Sequence, residues 1–175
     1  MEHRIKAVLT DIDGVWTDGR IYLNEEGKSF KAFNNLDSVG VALLRLAEIP
    51  VIIITGEDSV VIRRRAEQLK INHVFTGARN KLLIAETILT DLDISLSECA
   101  YVGDDLADLP LLKAAGLSAV PDNAPELLKN QVSHILKKTG GSGAFREFSE
   151  LVLQHCGILD EIINAFLNKI SSKNY

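Results

Sequence analysis

Cysteine, aromatic residues and surplus positive charge are all scarce in this chain. The two cysteines, Cys99 and Cys156, stand far apart with no Cys or His at metal-ligand spacing. That excludes a disulfide framework and a Cys/His zinc site, and leaves two indifferent thiols suited to a reducing compartment. Nineteen Lys and Arg against 24 Asp and Glu leave a net charge of −5. A face basic enough to follow a nucleic-acid backbone is thereby excluded, whereas a small anion needs only a local positive patch. No apolar run reaches the length of a membrane span, and no internal repeat or low-complexity tract occurs. The N-terminus passes from charged Glu2, His3 and Arg4 into a strand-like segment. Neither a signal peptide nor a membrane segment is expected, and the expected location is cytoplasmic.

What is present is enough for one core: 175 residues, 46% of them hydrophobic, expected to form one domain over residues 1–175. Short apolar runs, several of them β-branched, Ile5–Thr10, Val51–Ile54, His73–Phe75, Ala100–Val102, Leu117–Val120 and Ser133–Leu136, alternate with longer amphipathic stretches. The latter are Ser38–Ala47, Asp58–Leu69, Asn80–Thr90, Leu106–Ala114 and Ala124–Asn130, followed by Phe145–Gln154 and Leu159–Ile170. Strands unbroken by polar residues are covered on both sides, so the fold class is α/β: a three-layer, Rossmann-like parallel sheet with helices on both faces. One segment breaks the alternation. Residues 15–34 read as an inserted β-hairpin turning at Asn24-Glu25-Glu26-Gly27, and they hold Trp16, Ile21, Tyr22, Phe30 and Phe33 in a chain only 6% aromatic. Its apolar side chains either dock on another subunit or pack back on their own domain. From about residue 139, Thr139-Gly140-Gly141-Ser142-Gly143 reads as a flexible connection, or else as a loop that carries Arg146 to a ligand; Ser171–Tyr175 reads as a frayed end.

The polar residues with chemical potential fall where these strands end, the edge at which open parallel sheets bind ligands. The run Val8-Leu9-Thr10 stops in Asp11-Ile12-Asp13-Gly14, two carboxylates with period-2 spacing. Such a pair is either a turn former or a charge cluster that needs a cation or a shared proton. Thr55-Gly56-Glu57 follows the second long strand, and its hydroxyl and backbone amides suit a phosphate oxygen, although Thr55 alone would be an N-cap. Lys81 opens a helix after Asn80, a poor place for a cation beside a helix dipole. Asp104, Asp105 and Asp108 follow Ala100-Tyr101-Val102-Gly103. Together the acids suit a magnesium ion, and Thr55, the amides and Lys81 suit the phosphate beside it.

Asp11-Ile12-Asp13-Gly14-Val15, Thr55-Gly56, Lys81 and Gly103-Asp104-Asp105-x-x-Asp108 resemble, in order and spacing, the four motifs of the haloacid dehalogenase superfamily of phosphohydrolases. The resemblance implies Asp11 as nucleophile, Asp13 as acid/base held protonated beside it, and Thr55 and Lys81 on the phosphate. It places Asp104 and Asp105 on Mg2+, with Asp11 and the backbone carbonyl of Asp13, while Asp108 completes the acidic motif. Lys31-Ala32-Phe33-Asn34, Asn80-Lys81, Tyr101-Val102-Gly103-Asp104-Asp105 and Gly140-Gly141-Ser142-Gly143-Ala144-Phe145-Arg146-Glu147, with no cap-sized insertion, look like the 3-deoxy-D-manno-octulosonate 8-phosphate phosphatase subfamily. This implies a cap-less homotetramer whose active site is completed by a neighbouring subunit. Thr10 to Gly19, Glu57 where the octulosonate enzymes usually have Arg, and Arg63-Arg64-Arg65-Ala66-Glu67 look more similar to the branch acting on nine-carbon 3-deoxy-nonulosonate (KDN/sialic acid) 9-phosphates, from which Gln68 departs. There Gly56 would lie on the substrate, Glu57 would accept from sugar hydroxyls and Arg65 would pair with the carboxylate. Two other readings are a phospho-receiver domain and a non-catalytic oligomerisation module of a sugar-activating system. The receiver reading wants an Asp where Thr55 and Thr76 end the second and third strands, and the intact acids oppose the silent module.

Overall fold

The computed structural model describes residues 5–172. At its centre lies strand β1 (Ala7–Thr10). A two-stranded hairpin, β2 (Tyr22–Leu23) and β3 (Ser29–Phe30), leads to helix α1 (Asn35–Leu46). There follow β4 (Val51–Ile54), α2 (Val60–Gln68), β5 (His73–Phe75), α3 (Lys81–Asp91), β6 (Cys99–Val102), α4 (Leu109–Ala114), β7 (Leu117–Val120), α5 (Glu126–Lys129), β8 (His134–Ile135), α6 (Ala144–His155) and α7 (Leu159–Ser171). Six strands form one sheet in the order β5-β4-β1-β6-β7-β8, every pair parallel. After β1 the chain first builds outward on one side and then returns to build on the other. The strand order therefore reverses beside β1, the position at which such sheets open a crevice for ligands.

Alternation along the strands divides the core. Val8, Val51 and Ile53 face a layer formed by α1, α6 and α7, with Phe145 and Phe148 at its centre. Ala7, Leu9, Ile52 and Ile54 face α3, α4 and α5. Helices α1, α2 and α3 end alike, with Glu48, Lys70 and Asp93 in the left-handed region. Each time the following isoleucine sends its N–H back to a helical carbonyl at 2.9 Å: Ile49 to Leu44, Ile71 to Ala66, Ile94 to Leu89. The 6→1 bond closes each helix and returns the chain to the sheet.

Two expectations need correction. Trp16 does not belong to the projecting hairpin: it is buried, its ring 4.4 Å from that of Phe145 and its Nε1 donating to Thr10 Oγ1 at 2.9 Å. The hairpin arms are only two residues each, and Ile21, Tyr22, Leu23 and Phe30 are what they expose. Nor is residues 139–143 a loose connection. Gly140 lies against the loop after β1 so closely that a Cβ there would come within 1.9 Å of the Gly14 carbonyl oxygen. Gly141 N–H donates to Val15 O at 3.1 Å, Asn34 Nδ2 to Gly141 O at 3.1 Å, and Gly140 N–H to Asn123 Oδ1 at 2.9 Å. Behind this loop α6 starts on Asp37 of α1, whose Oδ1 accepts from the Arg146 N–H at 2.9 Å. At the C-terminus α7 stays helical to Ser171; the remainder of the expected frayed end, residues 173–175, lies outside the described residues, as does the charged start at residues 1–4. Among the described residues no helix is long and apolar enough to cross a membrane.

Candidate active site

Because β1 and β6 are neighbours in register, Thr10 opposite Val102, their C-terminal loops emerge side by side. Asp11 N–H still bonds to Val102 O at 3.0 Å, and this places its carboxylate against the Gly103–Asp108 loop. The loop after β4 carries Thr55, and the start of α3 brings Lys81 from a third direction. A cavity of about 510 Å³ opens here, lined among others by Asp11, Asp13, Thr55, Gly56, Glu57, Lys81, Asp104 and Asp105.

Asp108 is the hub. Its Oδ1 accepts from Lys81 Nζ at 2.5 Å and from the buried Tyr101 hydroxyl. Its Oδ2 accepts from the backbone N–H groups of Asp104 and Asp105 at 3.0 and 3.1 Å. With both oxygens engaged, Asp108 works as a brace for Lys81 and for the acidic loop. Lys81 reaches on to Asp11 Oδ2 at 2.8 Å. Burial alone would drive the Lys81 ammonium towards neutrality, but Asp11 and Asp108 more than offset it and its pKa is raised.

One buried ammonium does not balance the acids. Burial first, then the Asp108 charge, pushes Asp11 up to about 6. Burial, then Asp11 and Asp108, pushes Asp104 up to about 7. Asp11 Oδ1 is buried without a hydrogen-bond partner, and ligand oxygens of Asp11, Asp104 and Asp108 lie within 4.8 Å of one another. An orphaned carboxylate oxygen in a cluster short of positive charge fits a hard divalent cation, and Asp11 and Asp104 are the acids with oxygens to give. Gly14 makes this possible. At φ +80°, a Cβ on it would stand 1.8 Å from Asp104 Oδ2.

Asp13 lines the cavity. Its Oδ1 is held by Lys31 Nζ at 2.5 Å and by the Thr17 hydroxyl at 3.2 Å. Asp13 thus faces two donors, and it is not among the acids whose oxygens cluster with Asp11. Asp105 also turns away from the cluster, its Oδ1 capping the Leu106 N–H at 2.7 Å. Glu57 stands on the cavity wall, joined to Lys31 at 2.8 Å. Arg65 and Arg146 are not brought there by their own chain. Arg65 stacks over Phe33 at 5.7 Å, bonds Ser38 Oγ at 2.7 Å and lines a separate hollow with Gln68, while Arg146 pairs with Glu150 at 2.5 Å. Three contributors escaped the sequence reading as site residues: Lys31, Tyr101 and Arg79, which also lines the cavity. Lys31 sits on an inserted hairpin, where spacing gives no signal. Tyr101 carries one, a hydroxyl inside an otherwise apolar strand.

Against known proteins, residues 60–147 match the profile of the haloacid dehalogenase-like hydrolases. The chain is 39% identical over 153 residues to the 3-deoxy-D-manno-octulosonate 8-phosphate phosphatase of Haemophilus influenzae, covering 87% of this chain and 85% of that one. It superposes with TM-score 0.89 on the Moraxella catarrhalis phosphatase of the same name, solved with magnesium ion, phosphate ion and KDO, at 39% identity and 94% of each chain. The cobalt-bound Haemophilus influenzae structure gives TM-score 0.85 at 38% identity, covering 90% of this chain and 92% of that one.

Proposed function

Since the chain belongs to the haloacid dehalogenase-like hydrolases, we propose that it is a magnesium-dependent phosphatase removing the terminal phosphate of a 3-deoxy-2-ulosonic acid. The observation that carries this is Asp11, buried at the switch point with one oxygen held by Lys81 and the other unengaged. Asp11 and Asp104, with the Asp13 backbone carbonyl, would hold the ion, which supplies the positive charge that lets a phosphate dianion approach carboxylates. Thr55 and Lys81 fix the phosphate oxygens. Asp11 attacks phosphorus; as that bond forms, the phosphorus–sugar oxygen bond breaks and the departing oxygen takes a proton from Asp13. Asp13 then removes a proton from the water that releases phosphate from the aspartyl-phosphate.

The substrates named for the relatives support an eight-carbon sugar acid. A nine-carbon acid is favoured by Glu57, an acceptor on the cavity wall where the octulosonate enzymes usually carry a cation. The active assembly in this reading is a homotetramer. It is supported by the exposed apolar hairpin and by the position of Arg65 outside its own chain's cavity, which leaves that side chain free of its own site. Measuring kcat/KM side by side for octulosonate 8-phosphate and nonulosonate 9-phosphates tests the proposal. Rates on all of them no better than on a generic phosphomonoester would overturn it.

A further inference from the structure

Lys31, just past the second arm of the hairpin, reaches the catalytic groups from cover: its side chain is 11% exposed. Its ammonium lies 2.5 Å from Asp13 Oδ1 and 2.8 Å from Glu57 Oε2, bridging the loop after β1 to the loop after β4. The Thr17 hydroxyl joins it on the same Asp13 oxygen at 3.2 Å. Both donors therefore grip Oδ1, and no described residue engages Oδ2. A carboxyl pinned by one oxygen presents the other in a fixed direction.

Resting on the phosphatase reading, we propose that Lys31 is a positioning residue for proton transfer. It holds Asp13 by Oδ1 so that Oδ2 meets the leaving oxygen, and through Glu57 it ties sugar contact to the same ammonium. In the step concerned the Asp11–phosphorus bond forms, the phosphorus–oxygen bond to the leaving group breaks, and the proton on Asp13 Oδ2 passes to that oxygen. Lys31 keeps all its protons, and its charge faces the carboxylate that remains. Loss of orientation costs on the order of 100-fold when a positioned acid is misplaced. The cost falls only on esters whose leaving group needs the proton.

Lys31→Met and Lys31→Arg distinguish this from a structural or phosphate-binding role. The readout is kcat/KM, which reports transfer to Asp11, for an alkyl phosphate and for p-nitrophenyl phosphate, whose leaving group departs unprotonated. The expected result for Lys31→Met is a fall of about 30- to 100-fold on the alkyl ester and less than about 3-fold on the aryl ester, with Lys31→Arg recovering much of the alkyl rate. Retained aryl activity shows at once that the site is folded. Equal losses on both esters, or no loss on either, would overturn the assignment. If the wild-type protein hydrolyses simple alkyl phosphates but prefers no sugar-acid phosphate, the substrate reading fails while the two-ester contrast still decides the role of Lys31.

Discussion

Asp37 allows a prediction outside the catalytic chemistry. Fully buried between α1 and α6, its Oδ1 takes the Arg146 N–H, while its Oδ2 has no partner. Arg65 is near enough to favour the charged form but spends its hydrogen bonds on Ser38 and Gln68, and its Nε is itself unpartnered. Burial prevails, and the Asp37 carboxyl is pushed from 3.8 up to about 6. Between those values the folded protein holds a proton that the unfolded chain has lost, so stability falls as pH rises through the window and levels off above about 6. At about 1.4 kcal/mol per tenfold change in proton affinity, the full effect is about 3 kcal/mol, of which about 2 kcal/mol falls between pH 4.5 and 7.5. Asp37→Asn keeps the Oδ1 acceptor and removes the titration. Its buried amide adds an offset, but that offset does not change with pH. Urea unfolding of both proteins at the two pH values should show the variant gaining about 2 kcal/mol relative to wild type on going from pH 4.5 to 7.5. A flat difference, or one of opposite sign, would refute the reasoning by showing that Arg65 outweighs burial.

Asp11→Asn should leave no measurable phosphatase turnover, with a melting temperature within a few degrees of wild type; magnesium-dependent turnover that survived would remove Asp11 as nucleophile. Gly14→Ala adds a methyl 1.8 Å from Asp104 Oδ2 at a left-handed backbone position. It should cost about 1–2 kcal/mol in backbone strain and at least about tenfold in magnesium affinity by calorimetric titration. Replacing Ile21, Leu23 and Phe30 together by serine removes exposed apolar surface from the hairpin. The solution mass should fall towards the monomer without change in the circular dichroism spectrum, and an unchanged assembly would place the subunit contact elsewhere.

The parallel sheet was readable because its strands are short apolar runs between helix-length stretches, and the four motif positions because each follows a strand end. Residues that act across the fold were not. Trp16 looks like hairpin surface until Phe145, about 130 positions later, is seen to cover it. The glycines at 140 and 141 have the composition of a linker, and only the carbonyls of the loop after β1 show them to be packing residues. Asp104, Asp105 and Asp108 carry the same functional group in one motif, yet hydrogen bonds divide them: Asp104 towards the cation cluster, Asp105 into a cap, Asp108 into a brace. Spacing placed these acids at one edge, and donors elsewhere in the chain decided what each does there.

The contact of Gly140 with the back of Gly14 also makes the loop after β1 depend on chain far away in sequence. Asp11 follows a strand whose partner β6 ends at Val102, about 90 positions later, and the glycine that backs its loop comes at residue 140. Domains take shape during synthesis at the pace of chain elongation. Until the chain has been made as far as β6 and Gly140, Asp11 sits on an incomplete sheet with no Asp104 opposite and no Gly140 behind. A chain ending before residue 99 therefore lacks β6 and Asp104, and one ending before residue 140 lacks the backing of the loop that carries Asp11 and Asp13.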